Sequence, residues 1–253
     1  MAAPTYDLDG FLAGHQKIQQ RDIDEMGDVR GKTLLHLQCH FGLDTLSWAR
    51  LGARVTGLDF SAPAIDTARD LAQRLGIDAR FVLSDLYDAP AALDQQFDIV
   101  CTGIGALNWL PNIRGWAHVV AGFLKPGGRF YLIEMHPVLW SLDEERTDGQ
   151  LVVRHPYFER EAPLRWDDAK DYADPQARLR NSVTYEWNHG LGEIITALID
   201  AGLVIEWLHE HQTIDWQALP WLVPAPGPGE WRLPDDAIDH VPLMYSIRAH
   251  KPA

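Results

Sequence analysis

The sequence predicts an α/β fold built on a largely parallel sheet, and three observations carry that prediction. Short apolar runs suited to strands recur at 34–37, 53–58, 79–83, 97–102 and 130–135. Segments of helical period, several with caps at their ends, alternate with those strands. Residues 33–61 join strand, tight turn, helix, strand and terminal acid into one unit, the pattern of a nucleotide-binding βαβ motif.

The elements follow in order. Residues 7–26 read as a polar leading helix with Leu8, Phe11, Leu12, Ile18 and Ile23 as its apolar positions. Leu34, Leu35 and Leu37 form the first strand, which breaks into a turn closed by Gly42. Leu43, Leu46 and Leu51 lie near one face of the helix that follows. The second strand ends in Asp59, 17 positions beyond Gly42 and close to the roughly 20-residue spacing of an acid that accepts both hydrogens of a ribose diol. Ser61 is a good N-cap for a helix over 62–75, which Gly76 ends. The third strand runs into Ser84-Asp85-Leu86, and Phe97-Asp98-Ile99-Val100-Cys101-Thr102 supplies the fourth. Pro111 opens a helix to about Leu124, as a proline at the first helical position should. Residues 125–129 make a turn and 130–135 the fifth strand.

The second half is less regular. Residues 137–187 mix Pro, Trp, Tyr and charged residues with little periodicity. A helix over 189–201 turns Leu191, Ile194, Ile195, Leu198 and Ile199 inward. Strands over 203–208 and 242–249 flank a stretch, 212–240, that carries Trp216, Trp221 and Trp231 among prolines. Both irregular stretches follow strands, which places them as walls of a cleft beyond the sheet's carboxyl ends. No internal repeat is present.

Composition sets limits. The 253 residues, 46% of them hydrophobic, suit one large domain, or one domain with an insertion. Against 36 Asp+Glu stand 22 Lys+Arg, a net charge of −14 with no basic run. Such a surface repels a phosphate backbone, so nucleic acid is not the expected partner. No apolar run approaches the roughly 20 residues that span a bilayer, and the amino terminus lacks the basic start and apolar core of a signal peptide. A cytoplasmic protein with no membrane partner is the expectation. Cys39 and Cys101 read as buried thiols.

The order of these residues resembles the first motifs of class I S-adenosylmethionine-dependent methyltransferases. The family's usual opening, Leu-Asp-Leu-Gly-Cys-Gly-Thr-Gly, reads here Leu35-His36-Leu37-Gln38-Cys39-His40-Phe41-Gly42. His36 stands where the family has an acid, Gln38 and His40 replace two glycines, and only the last glycine survives. The Phe-Asp-Ile-Val strand and the Leu-Lys-Pro-Gly-Gly-Arg-Phe turn also stand in the family's order, so the resemblance spans about residues 33–136. It implies a Rossmann-like, seven-stranded, mostly parallel sheet with helices on both faces and its last strand reversed. It implies a single domain over 1–253, with a cap-helix region at 1–30, a substrate-lid insertion at 137–187 and an aromatic loop at 212–240. The cap region would bring Tyr6 and His15 near the cleft. S-adenosylmethionine would be the cofactor and a small molecule the methyl acceptor.

On this resemblance Asp59 holds the ribose, with Phe60 and Ser61 beside it, and Asp85 with the Leu86 backbone faces the adenine. The turn residues His36, Gln38, Cys39, His40 and Gly42, together with Asp44, Thr102 and Gly103, line the methionine end. Asp44 sits in the first helical turn, where its carboxylate can point at an ammonium. In-line displacement at a sulfonium needs alignment and exclusion of water. An acceptor of high pKa also needs a base, and histidine is the usual one near neutral pH. His136, after strand five, and His189, at the start of a helix, are the candidates; His155 is a weaker one, and His209 and His211 read as structural. The paired acids Glu144-Glu145 and Asp167-Asp168 point in different directions in regular structure, so no metal is expected. Three rival readings remain open: a nicotinamide oxidoreductase, a protein that binds the cofactor without transfer, and an enzyme that uses it for another reaction.

Overall fold

The computed structural model describes residues 7–167 and 182–253. Tyr6 and Asp168 therefore lie outside the described residues. The leading segment is two short helices rather than one, α1 (Leu8–Leu12) and α2 (Gln20–Met26). Gly14, at φ 109°, takes a conformation no continuing helix allows, and Gln19 with Asp22 forms a capping box that restarts the chain.

The alternation then runs much as the sequence predicts. Strand β1 (Thr33–Leu37) leads to α3 (Leu43–Arg50), β2 (Arg54–Asp59), α4 (Ala62–Leu75), β3 (Ala79–Leu83), α5 (Ala89–Ala92) and β4 (Phe97–Thr102). A 3₁₀ turn (Leu107–Trp109) precedes α6 (Ile113–Phe123), β5 (Leu124–Met135) and α7 (Pro137–Trp140). The antiparallel pair β6 (Leu164–Asp167) and β7 (Val183–Glu186) lies within the irregular stretch. Helix α8 (Leu191–Asp200) and β8 (Val204–His211) follow, then the short β9 (Thr213–Ile214), β10 (Val223–Pro224) and β11 (Trp231–Arg232), and finally β12 (Met244–His250).

The main sheet has the order β3-β2-β1-β4-β5-β12-β8. β1 to β5 are parallel, and β12 is antiparallel to both β5 and β8. The strand order therefore reverses between β1 and β4, the switch point where open α/β sheets bind ligands. Local signals explain the accurate boundaries. The Ser61 hydroxyl accepts from the Ala64 amide and Gly76 leaves α4 in the left-handed region, as their types require. Helix α6 starts two residues later than its proline suggests, because Asn112 caps it by accepting from Gly115. β5 begins at Leu124 and skips register, with Phe97 paired to Leu124 but Ile99 to Arg129. The expected Lys-Pro-Gly-Gly turn is thus a bulge inside the strand.

Both sheet faces are buried, which period two imposes on β1. Leu35 and Leu37 enter one cluster with Trp116 and Phe130, while Leu34 enters another with Trp48, Ile99 and Tyr131. Trp216, Trp221 and Trp231 pack against this second cluster beside Ile214, Leu222 and Leu233. Arg21 of α2 reaches both Asp215 oxygens at 3.2 Å and ties the 212–240 stretch down. The 137–187 stretch is tied to the sheet's carboxyl edge. The Trp187 amide donates to Asn108 O at 2.9 Å, and the Asn188 amide group donates to Pro137 O and Pro156 O.

Candidate active site

The turn between β1 and α3 keeps a glycine-like backbone without the glycines. Gln38 at φ 55° and His40 at φ 51° both occupy the left-handed region, as does Gly42 at φ 84°. Each non-glycine costs roughly 1–2 kcal/mol there, and such strain clusters at ligand sites. The surroundings hold it in place. The Cys39 amide donates to Leu58 O at 2.9 Å, the His40 amide to Asp59 Oδ2 at 2.8 Å, and the Gln38 side chain to Ala106 O at 2.8 Å. The turn is thereby fastened to the end of β2 and to the loop after β4.

Asp59 is buried and also accepts from the Ser61 amide at 2.9 Å. A carboxylate has about four acceptor positions, so two remain for vicinal hydroxyls. The Ser84 amide donates to Asp59 O at 3.0 Å, which draws the end of β3 alongside. Asp85 is exposed there and accepts from the Tyr87 amide, an ordinary turn bond, while Leu86 is buried. Phe60, which follows Asp59, is 74% exposed, a large flat face free for a planar ring.

At the β1/β4 junction His36 is buried, its Nδ1 2.9 Å from Thr45 Oγ1. Burial lowers its pKa to about 4, so the ring is neutral and does not replace an acid's charge. Asp44, in the first turn of α3, is the carboxylate at this end of the sheet. Burial raises its pKa to about 6, against the partial pull of Lys17. A Cβ on Gly103 would stand 3.2 Å from His36 Nε2 and 3.9 Å from Asp44 Oδ2, so the bare glycine keeps these side chains apposed. Gln38 Oε1 is buried and has no hydrogen-bond partner. That orphan acceptor and the Asp44 carboxylate suit an ammonium. Thr102 is buried, and its hydroxyl accepts from Trp116 Nε1 at 3.4 Å. Cys39 and Cys101 are free thiols whose pKa burial raises.

Sequence reading missed Glu134, the penultimate residue of β5. This buried carboxylate accepts from the amides of Gly105 (2.7 Å), Ala106 (2.9 Å), Leu107 (3.2 Å) and Met135 (2.7 Å) and so shapes the loop after β4. Its signal was an acid inside the otherwise apolar run Phe130-Tyr131-Leu132-Ile133-Glu134-Met135.

The two candidate bases are both buried and partly committed. His136 caps α7, its Nδ1 accepting from the Val138 amide at 3.1 Å, while Nε2 lies 3.0 Å from Glu210. His189 places Nε2 2.8 Å from Leu110 O, so that nitrogen carries the hydrogen. Burial lowers its pKa, which leaves Nδ1 with a free lone pair 3.1 Å from Glu159 Oε2 and 4.0 Å from Glu193 Oε2. Burial and the neighbouring Glu159 raise Glu193 to about 7. Asn108, Glu134, Trp140, Trp187 and His189 enclose a narrow space above β4 and β5. The weaker candidate His155 faces Glu144 at 3.0 Å, and His209 and His211, read as structural, stand beside Glu25.

Comparison with known proteins places this geometry in context. A family model described as a methyltransferase domain matches residues 34–128. A ubiquinone biosynthesis O-methyltransferase of Klebsiella pneumoniae is 29% identical over 71% of this chain and 73% of its own. The protein of that name from Salmonella arizonae is 28% identical over the same shares. An S-adenosylmethionine-dependent methyltransferase from Mesorhizobium loti superposes with a TM-score of 0.63 at 20% identity, covering 95% of this chain and 100% of its own. The glycopeptide N-methyltransferase MtfA, complexed with (S)-adenosyl-L-methionine, gives 0.57 at 18% identity over 91% and 85%.

Proposed function

We infer that this chain, a class I S-adenosylmethionine-dependent methyltransferase, transfers the sulfonium methyl group to a small-molecule acceptor. One observation carries the reading furthest. The β1–α3 turn holds the family's glycine-type backbone at Gln38 and His40 despite the steric cost, and fastens it to Asp59. A fold that had lost its ligand has no reason to keep that strain.

Asp59 would hold the ribose, Phe60 and Asp85 with Leu86 the adenine, and Asp44 with Gln38 Oε1 the ammonium. His36, Cys39, His40, Gly42, Ser61, Thr102 and Gly103 form the surrounding wall. When bound, the cofactor supplies an electrophilic methyl whose sulfur gains the electron pair of the broken bond. The protein's part is to align the acceptor and exclude water. Each nitrogen of His136 already faces a fixed partner, so alignment is the proposed main contribution, and His189, whose Nδ1 lone pair is free, is the candidate base if the acceptor needs one. The names of the relatives favour a hydroxyl acceptor. A cytoplasmic location is proposed alongside; no described helix is long and apolar enough to cross a membrane.

The test is release of S-adenosylhomocysteine with a panel of phenols, other hydroxyl compounds and amines. Acceptor-dependent release with a hydroxyl compound is expected. Tight cofactor binding with no release from any member would favour a binding protein.

Two smaller outcomes follow. A bound ammonium lowers the Asp44 pKa from about 6, so cofactor binding releases a proton near that pH. Affinity should fall as pH drops through this value, and calorimetry in buffers of different ionisation enthalpy should detect the release. Asp44→Asn should abolish it. His136→Ala removes a helix cap and is expected to lower stability by about 1 kcal/mol, read by denaturant titration. Cofactor affinity should stay unchanged.

A further inference from the structure

We propose that Glu159, His189 and Glu193 form a binding site for a divalent transition-metal cation of the zinc type. One donor atom from each lies within 4.8 Å of the others. His189 Nδ1 stands 3.1 Å from Glu159 Oε2 and 4.0 Å from Glu193 Oε2. In a tetrahedral site with bonds of 2.0–2.1 Å, neighbouring donors stand about 3.3 Å apart, so modest side-chain rotation completes the set.

The imidazole gives the independent indication. Its side chain is only 1% exposed, yet Nδ1 has no hydrogen-bond partner, since the approach to Glu159 lacks the required angle. The Leu110 carbonyl accepts from Nε2–H at 2.8 Å and fixes the tautomer with its lone pair on Nδ1. Metal-bound histidines are typically held this way, the second ring nitrogen donating to a carbonyl or carboxylate. An unprotonated ring nitrogen 3.1 and 4.0 Å from two carboxylate oxygens is a repulsive arrangement that a cation turns into an attractive one. A neutral imidazole with two carboxylates suits zinc or manganese better than a purely oxygen-loving ion.

Access and surroundings agree. Glu159 and Glu193 line an open cleft of about 300 Å³ with Asn112, Arg114 and Glu161. The Arg114 charge is engaged by Asp200 at 2.6 Å, and Arg160 also borders the cleft. This cleft does not include Asp44, Asp59 or Asp85, so the site is distinct from that of the cofactor and does not rest on the transferase reading. A bound cation would pin the segment around Glu159 to the first turn of α8, at the base of the inserted stretch. It would also occupy the one His189 nitrogen able to take a proton.

The experiment uses the full, tag-free chain, stripped by chelator and titrated with zinc chloride in a calorimeter. Cobalt chloride absorption then reports the ligand field. One equivalent is expected, with a cobalt spectrum of low coordination number. Changing outer partners of a metal ligand typically costs 10–100-fold in affinity, so losing a direct ligand should cost at least about tenfold. Glu159→Gln and Glu193→Gln, both at partly exposed positions, should each show that loss while thermal unfolding confirms the fold. Glu161→Gln, on the same cleft but outside the trio, should bind normally. Absence of saturable binding to the folded wild-type chain overturns the proposal. So does affinity unchanged in both ligand variants, or an equal loss in Glu161→Gln, which would mark diffuse attraction.

Discussion

Asp59→Ala is expected to weaken S-adenosylmethionine binding by about ten- to a hundredfold, because hydrogen bonds to a charged group contribute roughly 1.5–3 kcal/mol. The structure adds a second consequence. The carboxylate accepts the His40 and Ser61 amides at 2.8 and 2.9 Å, so alanine also frees the strained β1–α3 turn. Melting temperature should therefore fall together with affinity. Asp59→Asn separates the two effects. Its single carbonyl oxygen can keep one amide bond, but the pair of acceptors for a diol is lost. Calorimetric titration of both variants checks this, and wild-type affinity in folded Asp59→Ala would remove the acid from the site.

Gly42→Ala is expected to destabilise the protein by about 2–5 kcal/mol, from two additive causes. Left-handed backbone costs a side-chain-bearing residue about 1–2 kcal/mol, and overpacking a filled core costs about 1–3 kcal/mol. Both apply at this position. Its φ is 84°, and a Cβ would meet the Phe81 ring at 2.8 Å and Ala68 Cβ at 3.0 Å. Set against a typical total stability of about 5–15 kcal/mol, the loss is large. Chemical denaturation measures it. A change below about 1 kcal/mol would mean that the turn is looser than its hydrogen bonds imply.

This contrast shows what the sequence could and could not disclose. Gly42 was legible as the end of the turn because only glycine is at home in that conformation. At Gln38 and His40 the same conformation was invisible, since their residue types argue against it and only tertiary hydrogen bonds enforce it. Strands β1 to β4 and helix α4 were legible because each carries a local signal: apolar runs bounded by turn residues, and Ser61 with Gly76 as caps. The break after α1 was missed because the apolar pattern of residues 8–23 runs through Gly14 at helical spacing.

At the site, Asp59 could be read from its place at a strand's end. His36 stands where the family has an acid, and burial keeps it neutral; Asp44, legible as an acid in the first helical turn, is the carboxylate that an ammonium would meet. Glu134 and the Glu159–His189–Glu193 trio arise from long-range contacts. Within the trio only the four-residue spacing of His189 and Glu193 was available as a local hint. The three tryptophans of the 212–240 stretch suited a pocket wall and core packing equally in sequence, and they pack against the second core cluster.

The central claim, that the switch point between β1 and β4 is an S-adenosylmethionine site, is tested most directly by calorimetry on the wild-type chain. Titrations with S-adenosylmethionine, S-adenosylhomocysteine and NAD are compared. One equivalent of each sulfur ligand should bind, with a proton released near pH 6 in the titrations, and NAD should not. Saturable NAD binding with no response to either sulfur ligand would contradict the account and return the chain to the nicotinamide oxidoreductases.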